Sequence, residues 1–288
     1  MLKVKTILLP VDFPNTSLGV IHQAATLARH FHSEIVMLHV ASPRSYAAGV
    51  PQSLNEMGNW DLVAAITQEA EKKHDVSLRT QLEGLAIRHV LLPGDPDRAI
   101  VRTSEAEKAD LIMMPSYGFT FDRFLQGSVQ ESIVNGSECP MWTGARGEDS
   151  PAEEFALRNV LCAIDFGARS QVAASWAAQI AGEFSAGLTL IHVTPLLELW
   201  GPGGSYVNPR RKKELVDAAS EHLADLQRKM GIKAETLVGS GDRPKVLSQA
   251  VEQTKADLLV IACYPYGGNL RINGYGVISA VPVPVMNV

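Results

Sequence analysis

Three stretches in the first half of the chain carry residue types that could handle an anionic ligand. Pro10-Val11-Asp12 ends one apolar run and Leu38-His39-Val40 ends another. The third, PSYGFTFDRFLQGSVQESIV, runs from Pro115 to Val134. In it Gly118 permits a tight turn, and Gly127-Ser128 opens an amphipathic segment. A glycine lets a phosphate approach the backbone, a serine hydroxyl can donate to it, and the free amides of a helix N-terminus supply further donors. The pair reads equally as a plain helix cap, because glycines before helices are common.

Other chemistries lack the residues they need. His30 and His32 have no third ligand at suitable spacing and fall at a helix end, so they are expected at the surface. His39 and His192 recur at matching places, which favours strand-end packing or hydrogen bonding over catalysis. Gly201-Pro202-Gly203-Gly204 resembles part of a dinucleotide fingerprint but does not join a strand to the helix behind it, so a flexible loop is expected. Arg210-Arg211-Lys212-Lys213 is a short basic run in a chain of formal net charge −5 and reads as a solvated face. No Ser/His/Asp or Cys/His arrangement follows from spacing. An Asp-tipped first strand in a pyrophosphatase-loop ATPase would continue Ser-Gly-Gly-x-Asp-Ser; here the continuations are DFPNTS and DFGARS. The His-x-Gly-His of a nucleotidyl transferase is absent. A phospho-receiver would need a Lys after its fourth strand, and none follows here.

The elements that must position these residues occur twice. Lys5–Val40 aligns without a gap on Arg158–Val193 at an offset of 153, with identities at Leu8/Leu161, Asp12/Asp165, Phe13/Phe166, Ser17/Ser170, Phe31/Phe184, His39/His192 and Val40/Val193. Gly94-Asp95 matches Gly241-Asp242, and Ala109-Asp110-Leu111 matches Ala256-Asp257-Leu258, both at an offset of 147. In each copy a short apolar strand (Thr6–Val11; Val160–Ile164) ends at an Asp. Ser17 or Ser170 can cap the helix that follows. A second strand follows (Glu34–Val40; Gly187–Val193), then a long amphipathic helix, with Asn208-Pro209 as start and Gly231 as stop in copy two. A third strand runs into the Gly-Asp turn, a helix leads to a fourth strand (Asp110–Met114; Asp257–Ala262), and a last helix and short strand close the copy. This alternation predicts an α/β fold: two tandem open parallel five-stranded sheets with helices on both faces. Ligands of such sheets bind at the carboxyl ends of the strands. The expected domains are 1–145 and 156–288, joined by a small, polar, acidic linker near 144–155.

A length of 288 residues suits two domains, and 46% hydrophobic with 20% charged residues is ordinary for globular cores. The acidic balance argues against a nucleic-acid partner. Three scattered cysteines, Cys139, Cys162 and Cys263, make no disulfide framework and suggest a reducing compartment. With no signal peptide and no membrane-length apolar run, the expectation is a cytoplasmic protein without a membrane partner.

At these residues the chain resembles the universal stress protein family, twice over, in the manner of its tandem members. The family pattern is a strand ending near Pro-x-Asp, a second ending in His-Val, a Gly-Asp turn, Ala-Asp-Leu before strand four, then G-x2-G-x9-G-[ST] in ATP-binding members and a Cys-Pro-apolar closing strand, here Cys139-Pro140-Met141. The resemblance implies an adenine nucleotide, ATP or AMP, in copy one. Asp12 and Val40 would flank the adenosine beside the strand-end residues Pro10, Val11 and Met114, and Gly118, Gly127 and Ser128 would hold phosphates with Val129 nearby. Copy one departs from the pattern: Pro115 replaces the first Gly, eight residues rather than nine separate Gly118 from Gly127, and Tyr117 replaces a frequent His. Copy two keeps Asp165 and Val193 but has Asn273-Gly274 where the Gly-Ser pair belongs, with Arg271 nearby, so its candidate site is expected to be weak or absent.

The resulting expectation is a non-enzymatic regulatory protein with no obligatory metal, whose nucleotide orders the loop from Pro115 to Gln126 and alters a surface read by an unidentified protein partner. The alternative is a nucleotide-independent interaction scaffold. The family habit of pairing through last strands makes Pro140–Thr143 and Val283–Val288 candidates for an intrachain pseudo-dimer or a homodimer.

Overall fold

The computed structural model describes residues 2–11, 18–41, 81–115, 132–133, 136–145, 155–195, 198–201, 204–262 and 274–288. Contacts divide the chain into Lys3–Phe155 and Ala156–Val288, with the first two residues grouped with the second unit.

In copy one, β1 (Thr6–Val11) is buried along its length after Thr6, as a strand covered on both faces must be. It pairs in parallel with β2 (Glu34–Ala41), and β2 with β3 (Ala86–Pro93). On its other side β1 pairs with β4 (Leu111–Met114), and β4 with β5 (Met141–Thr143), again in parallel. The order is therefore β5-β4-β1-β2-β3, and it reverses between β1 and β4. Helix α1 (Leu18–Phe31) carries the chain from β1 to β2, and α2 (Pro96–Ala106) carries it back from β3 to β4. Right-handed crossovers in opposite directions put the two helices on opposite faces. Residue alternation matches this. Leu8, Val36, Leu38, Val40, Ile112 and Met114 form one cluster with Ala99 and Ile100 of α2 and with Ile133, while Ile7, Leu9, Ile35 and Met37 point the other way and are buried too.

Copy two repeats the plan. Its strands β6 (Asn159–Ala163), β7 (Gly187–Thr194), β10 (Glu235–Ser240), β11 (Leu258–Ile261) and β12 (Val285–Asn287) pair in parallel in the order β10-β7-β6-β11-β12. The order reverses between β6 and β11. Helix α3 (Ser170–Phe184) follows β6, α4 (Pro209–Met230) precedes β10, α5 (Arg243–Thr254) joins β10 to β11, and α6 (Gly274–Ala280) precedes β12. Leu161, Ala163, Ile191, Val193, Leu259 and Ile261 pack with Leu247, Ala250 and Val251 of α5 and Val277 and Ile278 of α6.

The repeated motifs have local reasons. Gly94 and Gly241 sit at φ +129° and +127°, a region that L side chains rarely adopt. The Asp of each Ala-Asp-Leu lies just outside its strand. Asp110 Oδ2 accepts the N–H groups of Lys5 (2.7 Å) and Thr6 (3.0 Å), and Asp257 Oδ2 accepts those of Arg158 (2.7 Å) and Asn159 (2.8 Å). Each carboxylate ties the start of the first strand to the start of the fourth. Helix α4 begins and ends as expected: Asn208 Oδ1 accepts from the amides of Arg210 and Arg211, and Gly231 closes it at φ +65°.

Two expectations are corrected. The stretch around Gly201–Gly204 is not a featureless loop: β8 (Glu198–Gly201) and β9 (Gly204–Val207) form an antiparallel hairpin with Gly201 opposite Gly204. Pro-Gly is a turn dipeptide, so a reversal of the chain could have been read there. Ser170 does not cap α3. The N-cap is Arg169 without a side-chain cap, and the Ser170 hydroxyl turns back to Asp165. No helix among the described residues is long and apolar enough to cross a membrane.

Candidate functional site

The strand order reverses at one point in each copy, and in open parallel sheets ligands bind outside the carboxyl ends of the strands that flank such a point. In copy one those strands are β1 and β4. Pro10 and Val11 end β1, Met114 ends β4, and Val40 lies near the end of the adjacent β2. All four are buried at or near the carboxyl ends of adjacent strands, Val40 and Met114 within the cluster that includes Ala99 and Ile100 of α2. Pro115 follows β4 directly and is buried. Asp12, Gly118, Gly127, Ser128 and Val129 lie outside the described residues.

His39 is a structural residue of this edge. Its Nδ1 is 2.9 Å from the Val11 carbonyl oxygen, which can only accept, so Nδ1 carries the proton. His192 repeats the bond to Ile164 at 2.7 Å, the same offset of 153 separating both partners. The recurring histidines thus lock the ends of the first and second strands together, in keeping with the hydrogen-bonding role read from the sequence.

In copy two Asp165 and Val193 occupy the equivalent strand ends, and Gly274 is the first residue of α6. Arg271 and Asn273 lie outside the described residues. Asp165 has a role the sequence reading missed. Its Oδ1 accepts both the Gly167 N–H (2.8 Å) and the Ser170 hydroxyl (2.7 Å), closing the turn between β6 and α3. Phe166, inside that turn, has φ +59°, costly for a bulky side chain, and remains 36% exposed. Its ring lies 4.4 Å from His192 and 5.2 Å from His222 of α4, centroid to centroid. Burial lowers the His192 pKa, and the charges of Arg243 and His222 lower it further, against the bond to Ile164 and the carboxylate of Asp165.

One strand further out, Thr194 of β7 stands opposite Ser240 of β10. The Thr194 hydroxyl donates to the Gly239 carbonyl at 3.1 Å, so at 2.7 Å the Ser240 hydroxyl donates to Thr194. A signal for these features was present in the repeat alignment: Gly167 falls on Pro14, Thr194 on Ala41 and Ser240 on Pro93.

Among the described residues no nucleophile is activated. Burial and the nearby Asp110 carboxylate push the Cys139 thiol up to about 12, and burial alone raises Cys162, so both are poor nucleophiles. Among the described residues no group of three His, Cys, Asp or Glu side chains could hold a metal ion.

A family model described as the universal stress protein family matches residues 3–143 and again residues 156–272. A universal stress protein of Methanocaldococcus jannaschii is 30% identical over 140 residues, covering 48% of this chain and 79% of that relative. A second from the same organism is 29% identical over 151 residues, covering 48% of this chain and 92% of its own length. Among solved structures, a universal stress protein from Archaeoglobus fulgidus shares the fold with a TM-score of 0.69 at 20% identity, over 99% of this chain and 96% of that one.

Proposed function

The chain belongs to the universal stress protein family, and we propose that it is a regulatory member whose first copy binds an adenine nucleotide, ATP or AMP, in a state that a protein partner reads. The observation that carries this reading is the convergence of Pro10, Val11, Val40 and Met114 on a buried apolar edge where the strand order reverses. Such an edge suits the flat apolar face of a purine. The polar half of the proposal rests on Asp12 beside the nucleoside and on Gly118, Gly127, Ser128 and Val129 at the phosphates. Gly127 would admit the phosphate to the backbone, and Ser128 would add a hydroxyl donor. No general base is assigned, so the role is binding rather than turnover, and a cytoplasmic setting is part of the same proposal.

Bound nucleotide would favour one arrangement of the loop from Pro115 to Gln126, and the partner would sense that arrangement. A calorimetric titration of ATP into the full chain tests the reading. One site is expected in the wild type, and Gly127→Val is expected to weaken it at least about a hundredfold, the loss of roughly 2.7 kcal/mol. No heat and no thermal shift at millimolar ATP would leave the scaffold reading in its place.

A further inference from the structure

Helix α2 and the helical residues Ser132, Ile133 and Gly136 before β5 form a seam in copy one, and α5 and α6 form its counterpart in copy two. Repeated backbone bonds match the two seams residue by residue. The Ser137 N–H donates to the Ile133 carbonyl at 2.9 Å as that of Val281 donates to Val277 at 3.1 Å, and the Ile112 N–H donates to the Pro140 carbonyl at 2.9 Å as that of Leu259 donates to Pro284 at 3.0 Å. So matched, the seams differ in character. In copy one the Ser132 hydroxyl donates to Asp97 Oδ2 at 3.2 Å, and the Ser104 hydroxyl, bonded to the Val101 carbonyl at 2.7 Å, lies 3.4 Å from the Ser137 hydroxyl. Copy two has Gly276 and Pro244 in place of the first pair and Val281 and Val251 in place of the second, both valines inside its buried cluster. Gly136, which lies beside Val101, is replaced by Ala280, and Val101 by Ser248.

The physical balance favours copy two. Its two valines remove apolar area from water across a helix contact, and Val101 returns only one of them to copy one. The Ser104–Ser137 contact is long for a hydroxyl pair, and the exposed Ser132–Asp97 bond competes with water, so neither makes up the difference. Glycine also loses more chain freedom than alanine when it becomes helical. We infer that this seam is the part of copy one that opens and recloses, that nucleotide bound at Gly127 and Ser128 holds it shut, and that the partner reads the surface of α2 and the helical segment beside it. Ser132 is four residues beyond Ser128, so a phosphate held there acts on the same stretch of chain that the seam must dock. Copy two has nothing comparable to gain, because its seam is shut without ligand. Only the choice of ligand rests on the proposed nucleotide site; the looseness of the seam does not.

Hydrogen-exchange protection factors, read by mass spectrometry on the full chain, compare peptides over 132–139 with peptides over 276–283. Without ligand, 132–139 is expected to be less protected by at least about tenfold, the scale of one lost valine contact. Gly136→Ala adds a methyl that meets Val101 Cγ2 at 3.7 Å, an ordinary contact, and should raise the protection of 132–139. Ser104→Val combined with Ser137→Val installs the pair of copy two and should raise it further; Gly136→Ala decides the matter if the double variant does not fold. Millimolar ATP should protect 132–139 in the wild type, protect it less in the double variant, and leave 276–283 unchanged. Equal protection of the two segments in the ligand-free wild type overturns the inference, as does unchanged protection in Gly136→Ala. ATP that binds by calorimetry without protecting 132–139 overturns the coupling. ATP that does not bind at all refutes the nucleotide reading instead, and the seam is then judged on the ligand-free comparison.

Discussion

At the amino ends of their strands the two copies have the same construction. Asp110 holds Lys5 and Thr6, Asp257 holds Arg158 and Asn159, and the distances agree within 0.2 Å for each matched bond. At the carboxyl ends one bond repeats among the described residues. His39 and His192 both grip the end of the first strand, but beyond them copy two closes its turn with Asp165, Gly167 and Ser170 and ties Thr194 to Ser240. Copy one has prolines and an alanine at three of those five positions. The bonds of the amino edge repeat between the copies, while the residues of the carboxyl edge, where sheets of this kind hold ligands, differ.

The comparison breaks if the shared frame is not equally built, and the closing strands test this most severely. Trp142 of β5 and Met286 of β12 occupy matching positions, each 1% exposed. The Trp142 indole N–H also donates to Gln23 Oε1 of α1 at 2.7 Å. Trp142→Ala is expected to cost about 3–5 kcal/mol and Met286→Ala about 2–5 kcal/mol in urea unfolding followed by local hydrogen exchange. A cost below about 1 kcal/mol for either would remove that strand from the frame.

The amino-edge carboxylates come next. Asp110→Ala and Asp257→Ala each strip the acceptor from two backbone amides, worth about 1–3 kcal/mol. The two costs should match within about 1 kcal/mol, measured by the same unfolding assay. One large and one negligible value would show that the motif repeats in sequence without repeating its function.

Much of this frame was legible because its causes are local. A buried parallel strand is a run of apolar residues, so Thr6–Val11 could be read directly. Gly94 and Gly241 mark positive φ, and Asn208-Pro209 and Gly231 mark helix ends. The strand-end placement of Pro10, Val11, Val40 and Met114 was legible too, since parallel order places carboxyl ends together. What escaped depended on competition between partners. Ser170 has the chemistry of a cap, but a carboxylate acceptor five residues earlier binds its hydroxyl instead. The Gly201–Gly204 hairpin escaped because its glycines also suit an open loop. The Gly167 bond of the copy-two turn left a trace in the repeat alignment, at Pro14 against Gly167, but finding it required knowing where the Asp165 oxygen points.

The smallest effect is the pH dependence of the turn between β6 and α3, and it sharpens the comparison at one side chain. His192 is half-buried, with Phe166 on its face, Ile164 on Nδ1, and His222, Arg243 and Asp165 around it. Burial first, and the Arg243 and His222 charges after it, lower its pKa from the ordinary 6.5. Between that lowered value and 6.5 the unfolded chain holds more of the proton than the folded one. Stability therefore rises with pH across this window and is lost as the pH falls through it. Unfolding free energies of the wild type and His192→Gln, measured from pH 7.5 down to pH 5, should differ in slope in about that range. The variant should be the flatter of the two, since Gln does not titrate, and the 160–175 segment should show the matching change in hydrogen exchange. Equal slopes would mean that His192 takes up its proton without disturbing the turn, so that Phe166 merely rests on the imidazole and the turn is held by its bonds to Asp165.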